Sequence, residues 1–143
     1  MLGLRQELRI NHMDPSFPEV YAGDVKKYIF PVVRKHWHPV NPVNLRMPFV
    51  IKYTLDTQTS MKAHHDSCLL SIVVRLNDGY EGGKLCFPRQ NWDNQDIPVG
   101  NVVIFPSMVT HVHKVTDLIA GTRYSFTGWI TGRNSNYGDE IQS

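Results

Sequence analysis

At 143 residues, with 41% apolar and 20% charged side chains and a formal charge of +2, the chain is long enough for one compact domain and too short for two. The near-neutral balance supplies no basic stripe, so nucleic acid is not an expected partner. No apolar run reaches the roughly 18 residues that a membrane helix needs, and Leu4 passes straight into Arg5, Glu7 and Arg9, so neither a membrane span nor a secretory leader is expected.

Residues 1–23, with Asn11-His12-Met13-Asp14-Pro15 and Phe17-Pro18, hold turn formers and no sustained period, and read as an N-terminal arm. From Asp24 the pattern turns helical: Val25, Tyr28, Ile29, Val32, Val33 and Trp37 recur at helical spacing, which predicts an amphipathic helix over 24–38 capped by Asp24. Pro31 lies inside it and should bend it or change its pitch. His36 and His38 flank Trp37, where helix-end carbonyls are expected partners in preference to a metal, because no carboxylate or thiol stands nearby at ligand spacing.

Pro39, Pro42 and Pro48 forbid a continuing helix. Residues 46–131 then read as a β core, with strands over 47–55, 69–76, 84–87, 101–105, 110–115 and 123–131. Turn clusters such as Asn77-Asp78-Gly79, Gly82-Gly83, Pro98-Val99-Gly100 and Gly121 separate them. Strands this close, with no crossover helices, argue for antiparallel sheets in a sandwich or jelly roll within a single domain. Residues 132–143 form a polar tail, expected to fray. Cys68 and Cys86 sit in apolar, strand-like surroundings and read as buried free thiols, which mildly favours a reducing compartment.

The chemistry concentrates in two places. Strand alternation sends residues i and i+2 to one face, so His64 and Asp66 can point inward while His65 points away. His111 and His113 are related in the same way, and one of them suffices as a further ligand. Two imidazoles and one carboxylate leave positions open on an iron ion, where a chelating co-substrate and dioxygen would bind. Arg123 and Ser125 share a face of the last long strand; a guanidinium with a hydroxyl beside it suits a carboxylate. A zinc-dependent hydrolase could use His64, Asp66 and His113 with a bound water, but has no evident need for Arg123; a catalytically silent metal-binding module is the other alternative. Trp37 and Trp129 are expected in the core, whereas Trp92, in the polar stretch 89–96, could as well contact a substrate.

The wording of the chain resembles the 2-oxoglutarate and Fe(II)-dependent dioxygenases, most closely the C-terminal catalytic domain of the procollagen lysyl hydroxylases. The resemblance is carried by Lys27-Tyr28-Ile29-Phe30-Pro31, Phe49-Val50-Ile51-Lys52-Tyr53, His64-His65-Asp66-Ser67, Leu76-Asn77 and Tyr80-Glu81-Gly82-Gly83. It continues through Cys86-Phe87-Pro88-Arg89, Thr110-His111-Val112-His113 and Gly121-Thr122-Arg123-Tyr124. It implies a double-stranded β-helix of the jelly-roll type with the N-terminal amphipathic helix packed on one sheet. It implies His64, Asp66 and His113 as iron ligands, Arg123 on the distal carboxylate of 2-oxoglutarate, Ser125 as its partner, and Tyr53 as a co-substrate contact. His65 and His111 are left as supporting or surface residues.

The implied activity is hydroxylation of a C–H bond, with O2 consumed, succinate and CO2 formed, and ascorbate as an accessory. The implied substrate is a lysine or proline side chain of a peptide or protein, with a small molecule as the lesser possibility. Gly82-Gly83-Lys84 stands where lysyl hydroxylases usually carry three glycines, and Thr127-Gly128-Trp129-Ile130-Thr131 resembles other prolyl-hydroxylase-like branches, so lysine and proline both stay open. The expected compartment is the cytoplasm, or the endoplasmic reticulum lumen for a part of a larger collagen-modifying enzyme. Nothing in the sequence sets the oligomeric state.

Overall fold

The structure, a computed structural model, describes residues 6–38, 42, 44–132 and 140–141. In chain order it comprises β1 (Gln6–Arg9), α1 (Phe17–Asp24), a π-helical turn (Val25–Ile29), α2 (Phe30–His36), β2 (Asn44–Arg46), β3 (Phe49–Tyr53), β4 (Met61–His64) and β5 (Leu70–Arg75). There follow β6 (Glu81–Gly82), β7 (Leu85–Phe87), β8 (Trp92–Asp93), β9 (Val102–Pro106), β10 (His113–Val115), β11 (Leu118–Ala120), β12 (Arg123–Thr131) and β13 (Glu140–Ile141).

β12 is the organising strand. Along one edge it pairs with β5 from Ser125 to Ile130, and along the other with β3 from Arg123 to Thr127 and then with β2. β9 extends the sheet beyond β5, β1 beyond β3, and β13 beyond β2. A smaller sheet in the order β4-β10-β7-β8 lies opposite, and β6 pairs with β11; every pairing is antiparallel. This is the jelly-roll class expected from closely spaced strands.

Alternation gives β12 two working faces. Gly128 and Ile130 face the helices, and Phe126 packs edge-on against Tyr21 at 5.5 Å between ring centroids. Arg123, Ser125, Thr127 and Trp129 point between the sheets. The helical layer and the outer face of the large sheet enclose Tyr21, Ala22, Val25, Phe30, Val33, Leu70, Ile72 and Ile130. Phe49, Ile51, Tyr53, Val115 and Leu118 fill one part of the space between sheets, and Val73, Leu85, Phe87 and Phe105 another.

The N-terminal region departs from expectation in three ways. Residues 1–23 are not an arm throughout: β1 pairs with β3, and the helix begins at Phe17, not Asp24. Pro18 misleads in sequence because proline usually ends helices, yet it lies in the first turn, where the missing N–H has no partner to lose. The buried stripe is Tyr21, Val25, Phe30 and Val33, while Tyr28 is 59% and Val32 41% exposed. The cause is the π turn, in which the Phe30 N–H donates to the Val25 carbonyl five residues back. That extra residue moves the stripe from Ile29 to Phe30 and accommodates Pro31, whose ring would clash with a regular helical carbonyl and which brings no donor.

Glu140 and Ile141, expected to fray, pair with Arg46 and Leu45. The rest of the tail and the stop expected at Pro39 lie outside the described residues.

Candidate metal centre

β4 ends at His64 and β10 begins at His113, and the two are direct cross-strand partners with ring centroids 4.3 Å apart. Between His113 and Val115 the register slips by a residue, a bulge that re-aims side chains where the strands meet. Asp66 arrives by a different route from the one alternation implied. It lies two residues past the end of β4, and its backbone N–H donates to the Ser107 carbonyl at 3.1 Å. The carboxylate consequently sits between the rings, with Oδ1 3.4 Å from His64 Nε2 and Oδ2 3.4 Å from His113 Nε2. One ligand atom from each of the three residues lies within 4.8 Å of the others.

The hydrogen bonds choose the imidazole tautomers. His64 Nδ1 stands 2.7 Å from the Lys62 carbonyl and His113 Nδ1 3.0 Å from the His111 carbonyl. A carbonyl only accepts, so each Nδ1 carries a proton, and each Nε2 is the ring nitrogen turned toward Asp66 and the shared space, where a metal would meet it. Burial alone would raise the Asp66 pKa. Hydrogen bonds with His113, His64 and Ser71, together with the His113 charge, outweigh burial and hold the carboxyl well below the usual range.

His111 and His65 stand outside the triad. His111 Nδ1 lies 2.8 Å from Thr110 Oγ1, and His65 Nε2 3.1 Å from the Val109 carbonyl. His111 nevertheless matters through its backbone, which orients the His113 ring.

Arg123, the largest of the fully buried side chains, is 1% exposed. Its guanidinium carbon lies 4.7 Å from the centre of the Tyr53 ring, and Tyr53 is its cross-strand partner. Its Nε and Nη1 have no hydrogen-bond partner among the described residues. A permanently charged group buried with unanswered donors is costly unless an acceptor from outside the chain completes it. The cleft it lines, about 420 Å³ of empty space including the open mouth, is shared with His64, Asp66, His113, Ser125 and Tyr53. Phe49, Ile51, Leu85 and Val115 supply its apolar walls. Gly83, at φ +58°, keeps the approach open, since a Cβ there would come within 3.0 Å of Arg123 Cδ.

All six residues singled out in sequence, namely Tyr53, His64, Asp66, His113, Arg123 and Ser125, therefore line one cleft. The donor set fits a divalent metal with open positions, and the unanswered guanidinium fits a carboxylate. Sequence reading missed Ser71, whose hydroxyl donates to Asp66 Oδ2 at 2.6 Å, and Met61 and Thr127 in the cleft walls. A serine among the valines and isoleucines of a strand was the available signal. Trp129, expected in the core, packs on Phe49 at 5.0 Å and also lines the cleft, while Trp92 is part-exposed beside Phe87. Cys68 is a buried free thiol as expected, pushed up to about 11 by burial; Cys86 is only half-buried.

Residues 48–131 match the family profile described as the 2OG-Fe(II) oxygenase superfamily. The chain is 34% identical over 110 residues to a multifunctional procollagen lysine hydroxylase and glycosyltransferase of Caenorhabditis elegans, covering 72% of this chain and 15% of that protein. Among solved structures, it is similar to a Pseudomonas putida prolyl-4-hydroxylase, with a TM-score of 0.63 and 21% identity over 91% of this chain and 72% of the other. A Trichoplax adhaerens prolyl hydroxylase in complex with a hypoxia inducible factor peptide gives a TM-score of 0.65 and 17% identity over 92% of this chain and 65% of the other. At these identities the structural likenesses establish the fold. The chain spans only a small part of the collagen-modifying relative.

Proposed function

Because the chain belongs to the 2OG-Fe(II) oxygenase superfamily, we propose that it is a 2-oxoglutarate-dependent dioxygenase that hydroxylates a lysine or proline side chain of a peptide or protein. The observation that carries the reading is the buried guanidinium of Arg123, with two unanswered nitrogens, in the same cleft as the two imidazoles and the carboxylate. A zinc hydrolase or a silent metal-binding module leaves that charge without a purpose.

When bound, iron(II) and 2-oxoglutarate would supply dioxygen activation coupled to decarboxylation, yielding succinate, CO2 and one oxygen atom for a C–H bond. His64 and His113 would hold the metal through their Nε2 atoms, oriented by the Lys62 and His111 carbonyls, and Asp66 would add the anionic ligand. Arg123 would take the far carboxylate of the co-substrate through its unanswered N–H groups. Ser125, two residues along the same face of β12, would add a hydroxyl to that carboxylate, and the Tyr53 ring holds the guanidinium from its face. The walls formed by Phe49, Ile51, Leu85 and Val115 keep water from the charged pair, which strengthens it.

The relatives point to collagen-type lysine and to proline as substrate side chains, and for a collagen-type substrate the compartment would be the endoplasmic reticulum lumen in place of the cytoplasm. Lysine-bearing and proline-bearing peptides incubated with the protein, Fe(II), 2-oxoglutarate, O2 and ascorbate should gain one oxygen atom, with succinate formed in step; mass spectrometry reads both. Turnover with zinc, or indifference to 2-oxoglutarate, would overturn the proposal.

A further inference from the structure

Behind the carboxylate of Asp66, on the side facing the protein interior, lies a set of polar groups that the proposed chemistry does not use. Ser71 Oγ is 2.6 Å from Asp66 Oδ2, Ser107 Oγ is 2.8 Å from Ser71 Oγ, and Cys68 Sγ is 2.9 Å from Ser107 Oγ. Ser71 and Ser107 are both 0% exposed. Longer contacts join Cys68 Sγ to Ser71 Oγ at 3.6 Å and to the Leu70 carbonyl at 3.5 Å.

Counting protons fixes the direction of this chain. An ionised carboxylate only accepts, and a hydroxyl has one proton. Ser71 therefore donates to Asp66 and has none left for Ser107. Ser107 must donate to Ser71, and the single thiol proton of Cys68 has two acceptors within reach, Ser107 Oγ and the Leu70 carbonyl. Both serine dipoles point toward the carboxylate, and hydrogen bonds aligned in this way strengthen one another in a low-dielectric interior. Ser107 also accepts the Asp66 backbone N–H at 3.1 Å, while its own N–H donates to the Leu69 carbonyl at 3.1 Å. Ser107 thus holds the Asp66 backbone directly and its carboxylate through Ser71, although Asp66 lies outside any strand and has no sheet ladder to fix it.

We propose that Ser71 and Ser107, backed by Cys68, form a one-way hydrogen-bond relay that positions the Asp66 carboxylate for metal binding. These are positioning residues: they touch neither metal nor substrate, and the inference rests on Asp66 being a ligand, as in the function proposed above. The relay fixes the rotation of the carboxylate and occupies a lone pair of Oδ2.

The test compares Ser71→Thr with Ser71→Val. The two side chains have nearly the same shape and impose the same steric burden on β5, and they differ by a hydroxyl against a methyl. Titrated with Mn(II) and followed by electron paramagnetic resonance of the free ion, Ser71→Val should bind roughly 10- to 100-fold more weakly than Ser71→Thr. Its Co(II) adduct should show shifted visible d–d bands, whereas Ser71→Thr should reproduce the parent spectrum. Equal affinities and equal spectra for the pair would overturn the relay. If Ser71→Val does not fold, Ser107→Ala takes its place: several-fold weaker Mn(II) binding than the parent supports the relay, and parental affinity overturns it. A parent chain that binds neither ion removes the proposed function. A parent that binds, with a Ser71→Val chain that binds equally well, removes the relay alone.

Discussion

Arg123 presents an energetic problem at the scale of one residue. Its charge cannot be shed by deprotonation, and the Tyr53 face offsets only part of the loss of water. Two outcomes follow. Arg123→Met, which keeps the volume and removes the charge, should leave the ligand-free protein at least as stable as the parent in thermal unfolding, because it deletes an incompletely paired buried charge. The same variant should raise the dissociation constant for 2-oxoglutarate on the order of 100-fold while leaving Mn(II) affinity near the parent value; calorimetric titration of each separates the two. Asp66 behaves in the opposite sense. Its folded pKa is depressed below the ordinary 3.8, so its contribution to stability is present above that value and is lost as pH falls through the folded pKa. Asp66→Asn should therefore lower the urea midpoint of the metal-free protein at neutral pH, and the gap to the parent should narrow as the solution is acidified below about 4. A gap that widened on acidification would contradict the assigned partners.

Among the elements, the contact that sets the helical layer on the large sheet is a close one. A Cβ placed on Gly128 of β12 would run into Tyr21 Oη, and that hydroxyl is buried, has no hydrogen-bond partner among the described residues and has its pKa raised by burial. Gly128→Ala should destabilise the protein by roughly 1–3 kcal/mol through overpacking. Tyr21→Phe alone should be neutral or stabilising, since an unsatisfied polar group is removed. The double variant should recover much of the loss, a coupling that a cycle of chemical unfolding measurements would expose. The π turn bears on the same contact: by stepping five residues from Val25 to Phe30 it keeps α1 and α2 on one face of the sheet despite Pro31. Reading the helix by regular period alone put Tyr28 and Val32 in the core, where neither lies.

For the whole molecule, the two sheets share one cleft, with His64 and His113 on the small sheet and Arg123 on the large one. Ligands that bridge these groups bind the folded chain only, and should raise its thermal midpoint. Mn(II) and 2-oxoglutarate together at about 100 times their dissociation constants should add on the order of 10 °C, and Arg123→Met should lose the 2-oxoglutarate part alone. Differential scanning fluorimetry would show whether the two shifts separate in this way.

Much of this molecule is legible in its sequence. The antiparallel β class follows from strand spacing, and the six residues that line the cleft stand out by side-chain chemistry and motif wording, because a candidate metal centre and a carboxylate partner demand particular residue types. Pro18 inside a helix, β1 in the supposed arm and the extra residue in the π turn were hidden, since each depends on contacts with segments far away in sequence. The stretch His64-His65-Asp66 shows the division most clearly. Its sequence determined which side chains could serve a metal; alternation along one strand did not bring them together, because Asp66 leaves the strand and is held by Ser107, 41 residues further on. Tertiary structure alone decided that placement, as it decided the tautomers of His64 and His113 and the relay behind the carboxylate, because hydrogen bonds between distant segments leave no period in a sequence.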